Sequence, residues 1–269
     1  MTRLITLDAI TLRSQPYSET SRIVTFMSRE SGLVKGMAKG ARGRRGRFGA
    51  TLEPLQRVRV TLSVKESRDL QTVTEADLLQ PYERIREDLF RSTYAQCVLE
   101  LTSRLSWQEH ASEEVFELLL AILHAYEEGI GDPHLLFLTY QMHLSAALGY
   151  AVDLESCSGC GGAVGEQVRF SLAEGAALCS GCYSQGGSHI TLSGETAALL
   201  VRLSRPDGIA AAAALQPGED VRRSSERLLQ RYLEYHTETD LGLRSLRLAE
   251  RISTWKYAGD LKGTRGQTI

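Results

Sequence analysis

The first eighty residues alternate between apolar and polar positions with a period near two, which is typical of β-strands. The alternating stretches are short, rich in β-branched side chains and separated by turn-forming residues: Leu4–Leu7, Ile10–Leu12, Ile23–Phe26 and Val58–Leu62. Several short strands in a segment of this length predict a small β-barrel. The pattern alone does not separate an OB-type barrel from an SH3-like barrel.

From residue 81 onward, the apolar residues recur at the spacing that is typical of amphipathic helices. Three apolar stripes at helical spacing begin at Leu89, Val115 and Leu135. Pro81 suits the first turn of a helix, and Ser112, followed by two glutamates, is typical of a helix N-cap. Residues 129–133 interrupt the helical pattern with two glycines and a proline. These features predict a bundle of three helices over residues 81–150, whose apolar stripes form its core.

The segment 151–190 is rich in cysteine, glycine and serine, unlike the sequence on either side of it. Within it, Val168–Leu172 and Ala176–Leu178 predict the two strands of a hairpin. Residues 191–269 are predicted to complete the helical domain, with one helix from Ser193 to Leu203 and an amphipathic helix that includes Leu228, Leu229, Tyr232 and Leu233. The run of alanines between Asp207 and Asp220 is compatible with either a loop or a helix.

Four cysteines form two C-x-x-C pairs, Cys157 with Cys160 and Cys179 with Cys182, with eighteen residues between the pairs. This spacing is typical of a site in which four thiolates hold one tetrahedral Zn²⁺, leaving no coordination position for a water molecule. We therefore predict one structural Zn²⁺ per chain. A site that has lost its metal and two redox-active pairs are the alternatives. Cys97 lies on the apolar face of a predicted helix and is interpreted as a core thiol.

Positive charge is concentrated near the N-terminus of a chain whose formal net charge is −2. Residues 1–60 hold twelve basic and four acidic side chains, and residues 31–52 hold six basic side chains and no acidic one. These six lie in and before a glycine-rich loop: Lys35, Lys39, Arg42, Arg44, Arg45 and Arg47. A cationic, glycine-rich segment on a predicted barrel indicates a polyanionic partner. A merely solvated charged loop is the alternative.

The apolar runs and the motifs of the sequence argue against a membrane protein and against the common classes of enzyme. No run of apolar residues approaches the length of about 18 that a membrane span needs, and the N-terminus does not resemble a signal peptide. Phosphate-binding loops, nucleophile elbows and zinc-protease motifs are absent from the sequence, and its six histidines are scattered. We therefore expect a cytoplasmic protein that is not an enzyme.

Specific segments of the chain resemble the RecO family of bacterial recombination-repair proteins. The segments that carry the resemblance are LRSQPYSETSRIV at residues 12–24, GLVKGMAKGAR at 32–42, Arg47–Phe48, Leu52–Leu55, LGYAVDL at 148–154, Tyr235–His236 and LRSLR at 243–247. The resemblance extends from about residue 3 to about residue 250. The arginine-glycine run at residues 42–47 departs from the family pattern because it is denser in arginine.

This resemblance implies an α+β multidomain fold: an N-terminal OB-fold barrel at residues 1–80, a helical bundle at 81–150 and 191–269, and an inserted four-cysteine zinc ribbon at 151–190. It also implies a recombination mediator that binds single- and double-stranded DNA, anneals complementary strands and is associated with the nucleoid. The implied partners are RecR, single-strand-binding protein and, indirectly, RecA.

The basic residues then become candidate contacts for DNA. Lys35, Lys39, Arg42, Arg44, Arg45 and Arg47 would neutralise phosphates, and Phe48 would stack on unpaired bases. Arg13 and Arg22, on or beside barrel strands, are weaker candidates. A zinc-ribbon protein that binds RNA or the ribosome is the alternative function, and a zinc-dependent or redox enzyme is a third hypothesis.

Overall fold

The computed structural model describes residues 3–42, 48–65, 67–68, 70–106, 113–183 and 189–252. The chain divides into two compact units, of which the first comprises residues 1–111 and 242–269 and the second comprises residues 112–241.

The first unit contains a closed β-barrel of five strands. They are β1 (Arg3–Pro16), β2 (Arg22–Ser28), β3 (Gly32–Ala38), β4 (Arg57–Val64) and β5 (Gln71–Gln80). The strands follow one another around the barrel in the order β1-β2-β3-β5-β4, and the β3–β5 pair is parallel whereas the others are antiparallel. The two strands predicted over residues 4–12 form one continuous strand. Asp8 does not interrupt this strand, because its carboxylate lies outside the core and accepts two hydrogen bonds from Arg57 at 3.0 and 2.6 Å.

The barrel interior is filled by alternating apolar side chains from its strands. Val24, Phe26, Val58, Val60 and Leu62 are fully buried there, as the period-two pattern predicts. Gly36 fits the same interior because a Cβ atom at this position would lie only 2.7 Å from Cγ2 of Val73. The strand β3 can therefore approach β5 closely only without a side chain at residue 36.

Two helices follow the barrel, α1 (Glu83–Glu87) and α2 (Leu89–Leu105). Pro81 precedes them rather than starting a helix, and Asp88 caps α2 by accepting a hydrogen bond from the backbone N–H of Arg91 at 2.9 Å. The helix α2 packs against β1 and β2, and the helical residues 244–252 belong to the same unit. The structure therefore groups α2 with the barrel, whereas the sequence pattern assigns it to a bundle with the next two helices.

The second unit is built around a buried helix. Its helices are α3 (Glu113–Glu128), α4 (Pro133–Ala147), α5 (Gly194–Ser204), α6 (Gly208–Ala214) and α7 (Glu219–Thr237). The helix α4 contacts each of the other four and buries almost every residue from His134 to Met142. Asp132 caps α4 and also accepts a hydrogen bond from Arg222 of α7 at 2.9 Å. The alanine run at residues 210–214, for which the sequence is compatible with a loop or a helix, lies in α6 and is helical.

A small antiparallel sheet completes the second unit, with strands β6 (Gln167–Ser171), β7 (Ala176–Leu178) and β8 (His189–Ser193). Their order is β7-β6-β8, so the predicted hairpin β6–β7 gains a third strand that the sequence pattern does not predict. In the part of the chain that the structure describes, no helix is long and apolar enough to cross a membrane.

Candidate metal centre and nucleic-acid interface

The hairpin β6–β7 brings the two cysteine pairs together. Cys157 and Cys160 precede β6, and Cys179 and Cys182 follow β7, so the antiparallel strands return the chain to the first pair. The four Sγ atoms all lie within 4.8 Å of one another, and those of Cys160 and Cys179 are 3.9 Å apart. The sequence-predicted quartet is therefore one cluster in space.

Tight turns shape each half of the cluster. The backbone N–H of Gly161 donates to the carbonyl of Cys157 at 2.8 Å, and that of Cys182 donates to the carbonyl of Cys179 at 3.2 Å. Gly161 has φ of +70°, which a residue with a side chain rarely adopts. A Cβ atom on Gly159 would lie 3.0 Å from Cβ of Cys182. Glycine is thus required for the turn at one position and for close approach of the pairs at the other.

The thiol pKa values show that the cluster suits a cation. The backbone N–H of Cys179, 3.2 Å from Sγ of Cys157, is the main reason that the pKa of Cys157 falls to about 6. Hydrogen bonding to Cys160, Cys179 and Cys157 raises the pKa of Cys182 to about 12. The Cys157 thiolate is thus favoured and the Cys182 thiolate is disfavoured, and a positive charge at the cluster would favour ionisation of Cys182. A divalent metal ion supplies that charge.

The donor set fits zinc in a structural role. Four soft sulfur ligands at mutual distances below 4.8 Å are compatible with Zn–S bonds of about 2.3 Å in a tetrahedral site. Four thiolates would occupy every tetrahedral position, so such an ion would bind no water and would tie the ends of the hairpin together.

The cysteine module is attached to the helices of its own unit by polar and aromatic contacts. The backbone of Asp153 exchanges hydrogen bonds with Gly175 (2.8 Å) and Ala177 (2.9 Å), which adds a bridge beside β7. The ring of Phe170 lies edge-on to Tyr232 of α7, with centroids 5.5 Å apart, and Nε2 of His236 lies 2.8 Å from the carbonyl of Leu172. A metal that orders the module would therefore also order its contact with α7.

Two of the predicted DNA contacts lie in one row across the barrel. Arg13 of β1 pairs with Thr25 of β2, which pairs with Lys35 of β3. Both basic side chains are exposed. Because neighbouring strands lie about 4.8 Å apart, the backbones of Arg13 and Lys35 are about 10 Å apart.

Lys39 and Arg42 lie at the start of the glycine-rich loop, and both are exposed. The backbone N–H of Arg42 donates to Thr20 at 3.0 Å, and its guanidinium donates to the carbonyl of Ser18 at 2.5 Å. These bonds hold the start of the loop against the connection between β1 and β2. Arg44, Arg45 and Arg47 lie outside the described residues.

Two other candidates have structural roles. Arg22 forms an ion pair with Glu53 at 2.5 Å, which offsets its charge. Phe48 is only 7% exposed and belongs to the cluster that fills the barrel. This burial argues against the prediction that Phe48 stacks on bases, because its ring packs in the core.

A groove of about 1000 Å³ opens beside the row of Arg13 and Lys35. Two of the basic side chains that line it are not among the residues predicted from the sequence, Arg104 of α2 and Arg244 of the helical residues 244–252. They are distant from the basic loop in sequence and come close to the barrel only in the folded unit. Arg244 could have been identified from the sequence, because it lies in the LRSLR segment that carries the family resemblance.

Comparisons with known proteins agree on one family. A family model described as "Recombination protein O N terminal" matches residues 1–82, and one described as "Recombination protein O C terminal" matches residues 86–247. A DNA repair protein RecO from Thermobifida fusca (strain YX) is 36% identical over 246 residues, which cover 91% of this chain and 97% of that protein. Proteins of the same name from Anaeromyxobacter sp. (strain K) and Symbiobacterium thermophilum are 34% and 30% identical, covering 89% and 95% of this chain and 94% and 99% of the relatives.

Proposed function

The chain belongs to the recombination protein O family, whose members act in DNA repair and recombination, and on that premise we propose that it is a non-enzymatic mediator of gap repair. It binds single- and double-stranded DNA without sequence preference and anneals complementary strands. With RecR it helps to load RecA onto DNA covered by single-strand-binding protein.

The observation that carries the proposal is the exposed cationic surface on one side of the barrel. Arg13, Lys35, Lys39 and Arg42 are all exposed on β1, β3 and the start of the glycine-rich loop. Cations that neutralise phosphates release counterions, which gives binding that depends on salt but not on base sequence. The same charge lowers the repulsion between two DNA strands, which annealing requires.

The barrel topology supports the same proposal. A closed five-stranded barrel in the order β1-β2-β3-β5-β4, with a parallel β3–β5 pair, fits an OB-type fold. Folds of this type bind oligonucleotides through one outer face and the adjoining loops. Arg13 and Lys35 are exposed on the outside of the barrel, and Lys39 and Arg42 follow the end of β3, which supports binding of this kind.

The cysteine module supports a structural zinc ion rather than a reaction centre. Its four thiols leave no coordination position for a substrate or water, and neither pair lies at the start of a helix, where a reactive thiolate would be stabilised. Zinc would hold the β6–β7 hairpin closed at the end that carries the cysteines.

The proposal is tested with a loop variant in which Lys39, Arg42, Arg44, Arg45 and Arg47 are changed to Ala. Fluorescence anisotropy at several salt concentrations should show weaker binding to both single- and double-stranded DNA and a shallower dependence of affinity on salt. Annealing of complementary oligonucleotides should slow, with and without single-strand-binding protein. A control variant changes Arg84, Arg247 and Arg251 to Ala, which are exposed but neither belong to the basic row nor line the groove beside it.

Two results would overturn this function. One is a loop variant that binds and anneals DNA as the unchanged protein does. The other is a clear preference for RNA when mixed-sequence DNA and RNA of equal length compete, which would favour an RNA-binding protein instead.

A further inference from the structure

The groove beside the barrel is strongly cationic. Arg13 and Lys35 line it from the barrel, Arg104 from α2 and Arg244 from the helical residues 244–252. Glu100 is the one acidic side chain among the described residues that line it. Four basic groups from four separate elements therefore converge on a space of about 1000 Å³.

Glu100 forms an ion pair with Arg104 at 3.0 Å, so it offsets one of the four positive charges and leaves an excess of three in the groove. Its carboxylate accepts hydrogen bonds from the backbone N–H and hydroxyl of Ser245 and from Arg104 at 3.0 Å. Burial alone would raise the pKa of Glu100, but these hydrogen bonds lower it overall, so the group stays ionised. A carboxylate at the N-terminal end of helical residues 244–252 also stabilises that helix. Glu100 thereby fixes the position of Arg244 at the groove.

The rest of the lining is apolar or uncharged. Ile23 and Leu70 are partly exposed within it, and Thr25, Gln96 and Ser103 add hydroxyl and amide groups. Apolar side chains offer contact to the faces of nucleobases, and hydroxyl and amide groups can bond to base edges. In a duplex the base faces are stacked on one another and the Watson–Crick edges are paired, so the faces are not open to contact with Ile23 and Leu70.

We infer that this groove binds a segment of one unpaired DNA strand, with phosphates at Arg13, Lys35, Arg104 and Arg244 and bases against Ile23 and Leu70. The inference rests on the proposed function and adds that the groove prefers single-stranded to double-stranded DNA. The loop binds either form of DNA through phosphates alone, whereas the groove accepts only a strand whose bases are free. Arg244 and Arg104 are thus part of the DNA interface although they lie outside the barrel.

Continuity with the loop favours DNA over an acidic peptide as the occupant. Lys35 at the groove and Lys39 before the loop are only four residues apart on β3 and the turn that follows it. A strand that leaves the groove past Lys35 therefore meets further phosphate contacts at once. A short acidic peptide would use the groove but would gain nothing from the loop.

The test uses Arg244→Ala in the full chain, with Arg247→Ala as the matched control on the same helical segment. Arg244→Ala should weaken binding to a mixed-sequence single strand about five- to tenfold at low salt. It should also make the slope of log affinity against log salt shallower by about 0.7, the change expected for one lost contact with a single strand. Binding to a duplex of equal length should stay within about twofold of the unchanged protein.

A second variant fills the groove without removing a charge. Ser103→Trp should lower affinity for the single strand alone, whereas Ser92→Trp, on the same helix but outside the groove, should not. Circular dichroism and thermal melts identify the folded variants. Photo-crosslinking of a 4-thiothymidine oligonucleotide to the unchanged protein should label the peptide around residues 96–104.

Each outcome separates the strand assignment from the proposed function. If Arg244→Ala and Ser103→Trp bind the single strand normally while the loop variant does not, the groove assignment is wrong and the proposed function stands. An equal loss for single strand and duplex would also overturn the assignment. If these groove variants instead lose affinity only for a fluorescein-labelled acidic peptide, the groove is a protein-binding site. If neither the groove variants nor the loop variant changes DNA binding, the proposed function itself fails.

Discussion

The barrel and the three-stranded sheet are both small β-structures, but different interactions stabilise them. The barrel closes on an interior of its own, in which Val24, Phe26 and Val60 are fully buried. The sheet β7-β6-β8 has no closed interior and buries Val168 and Phe170 next to helices of its unit. A closed core leaves the charged side chains of the barrel on its surface, whereas in the three-stranded sheet the four cysteines cluster at the end of the β6–β7 hairpin, where they could hold a metal ion.

Removal of one cysteine should have the largest effect on stability. Cys157→Ser removes a buried thiol whose pKa is lowered to about 6, and we expect the zinc content to fall from one ion per chain to nearly none. Structural zinc contributes about 10–16 kcal/mol of apparent binding free energy in small zinc peptides, so residues 150–193 should become sensitive to protease. Metal analysis and limited proteolysis measure both effects.

The matched control for this variant is Cys97→Ala, which removes a buried thiol of α2 but no cluster ligand. Its zinc content should equal that of the unchanged protein. Duplex DNA should bind Cys157→Ser with nearly normal affinity, because the loop belongs to the other unit. Retention of a full complement of zinc by Cys157→Ser would disprove the four-thiolate assignment.

The corresponding change in the barrel is Phe48→Ala. Because Phe48 is only 7% exposed, its loss should lower the free energy of unfolding by about 3–5 kcal/mol, as is usual for a large core side chain. Urea denaturation measures this effect. Phe48→Leu keeps most of the apolar volume and should bind single-stranded DNA normally. If Phe48→Leu is stable but binds single-stranded DNA poorly, the ring contacts bases after all.

Two substitutions, Gly175→Ala and Gly165→Ala, test how much the packing of the three-stranded sheet against α7 contributes to the free energy of unfolding. Gly175 has φ of +66°, and a Cβ atom there would clash with Oη of Tyr232. Gly175→Ala should therefore lower the free energy of unfolding by about 1–3 kcal/mol through backbone strain and overpacking together. Gly165→Ala is the matched control, since φ is +77° but nothing lies within 4 Å of a Cβ atom. Equal losses in the two variants would show that docking against Tyr232 adds nothing to stability.

The same two regions show what a sequence can predict. The cysteine cluster was predictable because each C-x-x-C pair is local and one hairpin joins the two pairs, so spacing alone implies their proximity. The groove was not predictable, because Arg104 and Arg244 lie 140 residues apart in sequence and both line it in the folded unit, where Ser245 donates a hydrogen bond to Glu100. The burial of Phe48 was not predicted for a related reason. It follows an arginine-glycine run without hydrophobic alternation, and only the folded barrel reveals that the loop returns its ring to the core.

Lys35→Ala should have the smallest effect on stability, and it tests most directly whether the surface of the barrel binds DNA independently of the interior that stabilises it. An exposed strand lysine contributes little to folding, so the free energy of unfolding should change by no more than about 0.5 kcal/mol. Affinity for single-stranded DNA should nevertheless fall, and the salt slope should become shallower by about 0.7. Arg59→Ala, on an exposed position of β4 outside the groove, should change neither quantity. Anisotropy titrations and urea denaturation of the same samples separate the two effects. If Lys35→Ala destabilised the barrel as Phe48→Ala does, or left DNA binding unchanged, the division between a structural interior and a functional surface would not hold for this barrel.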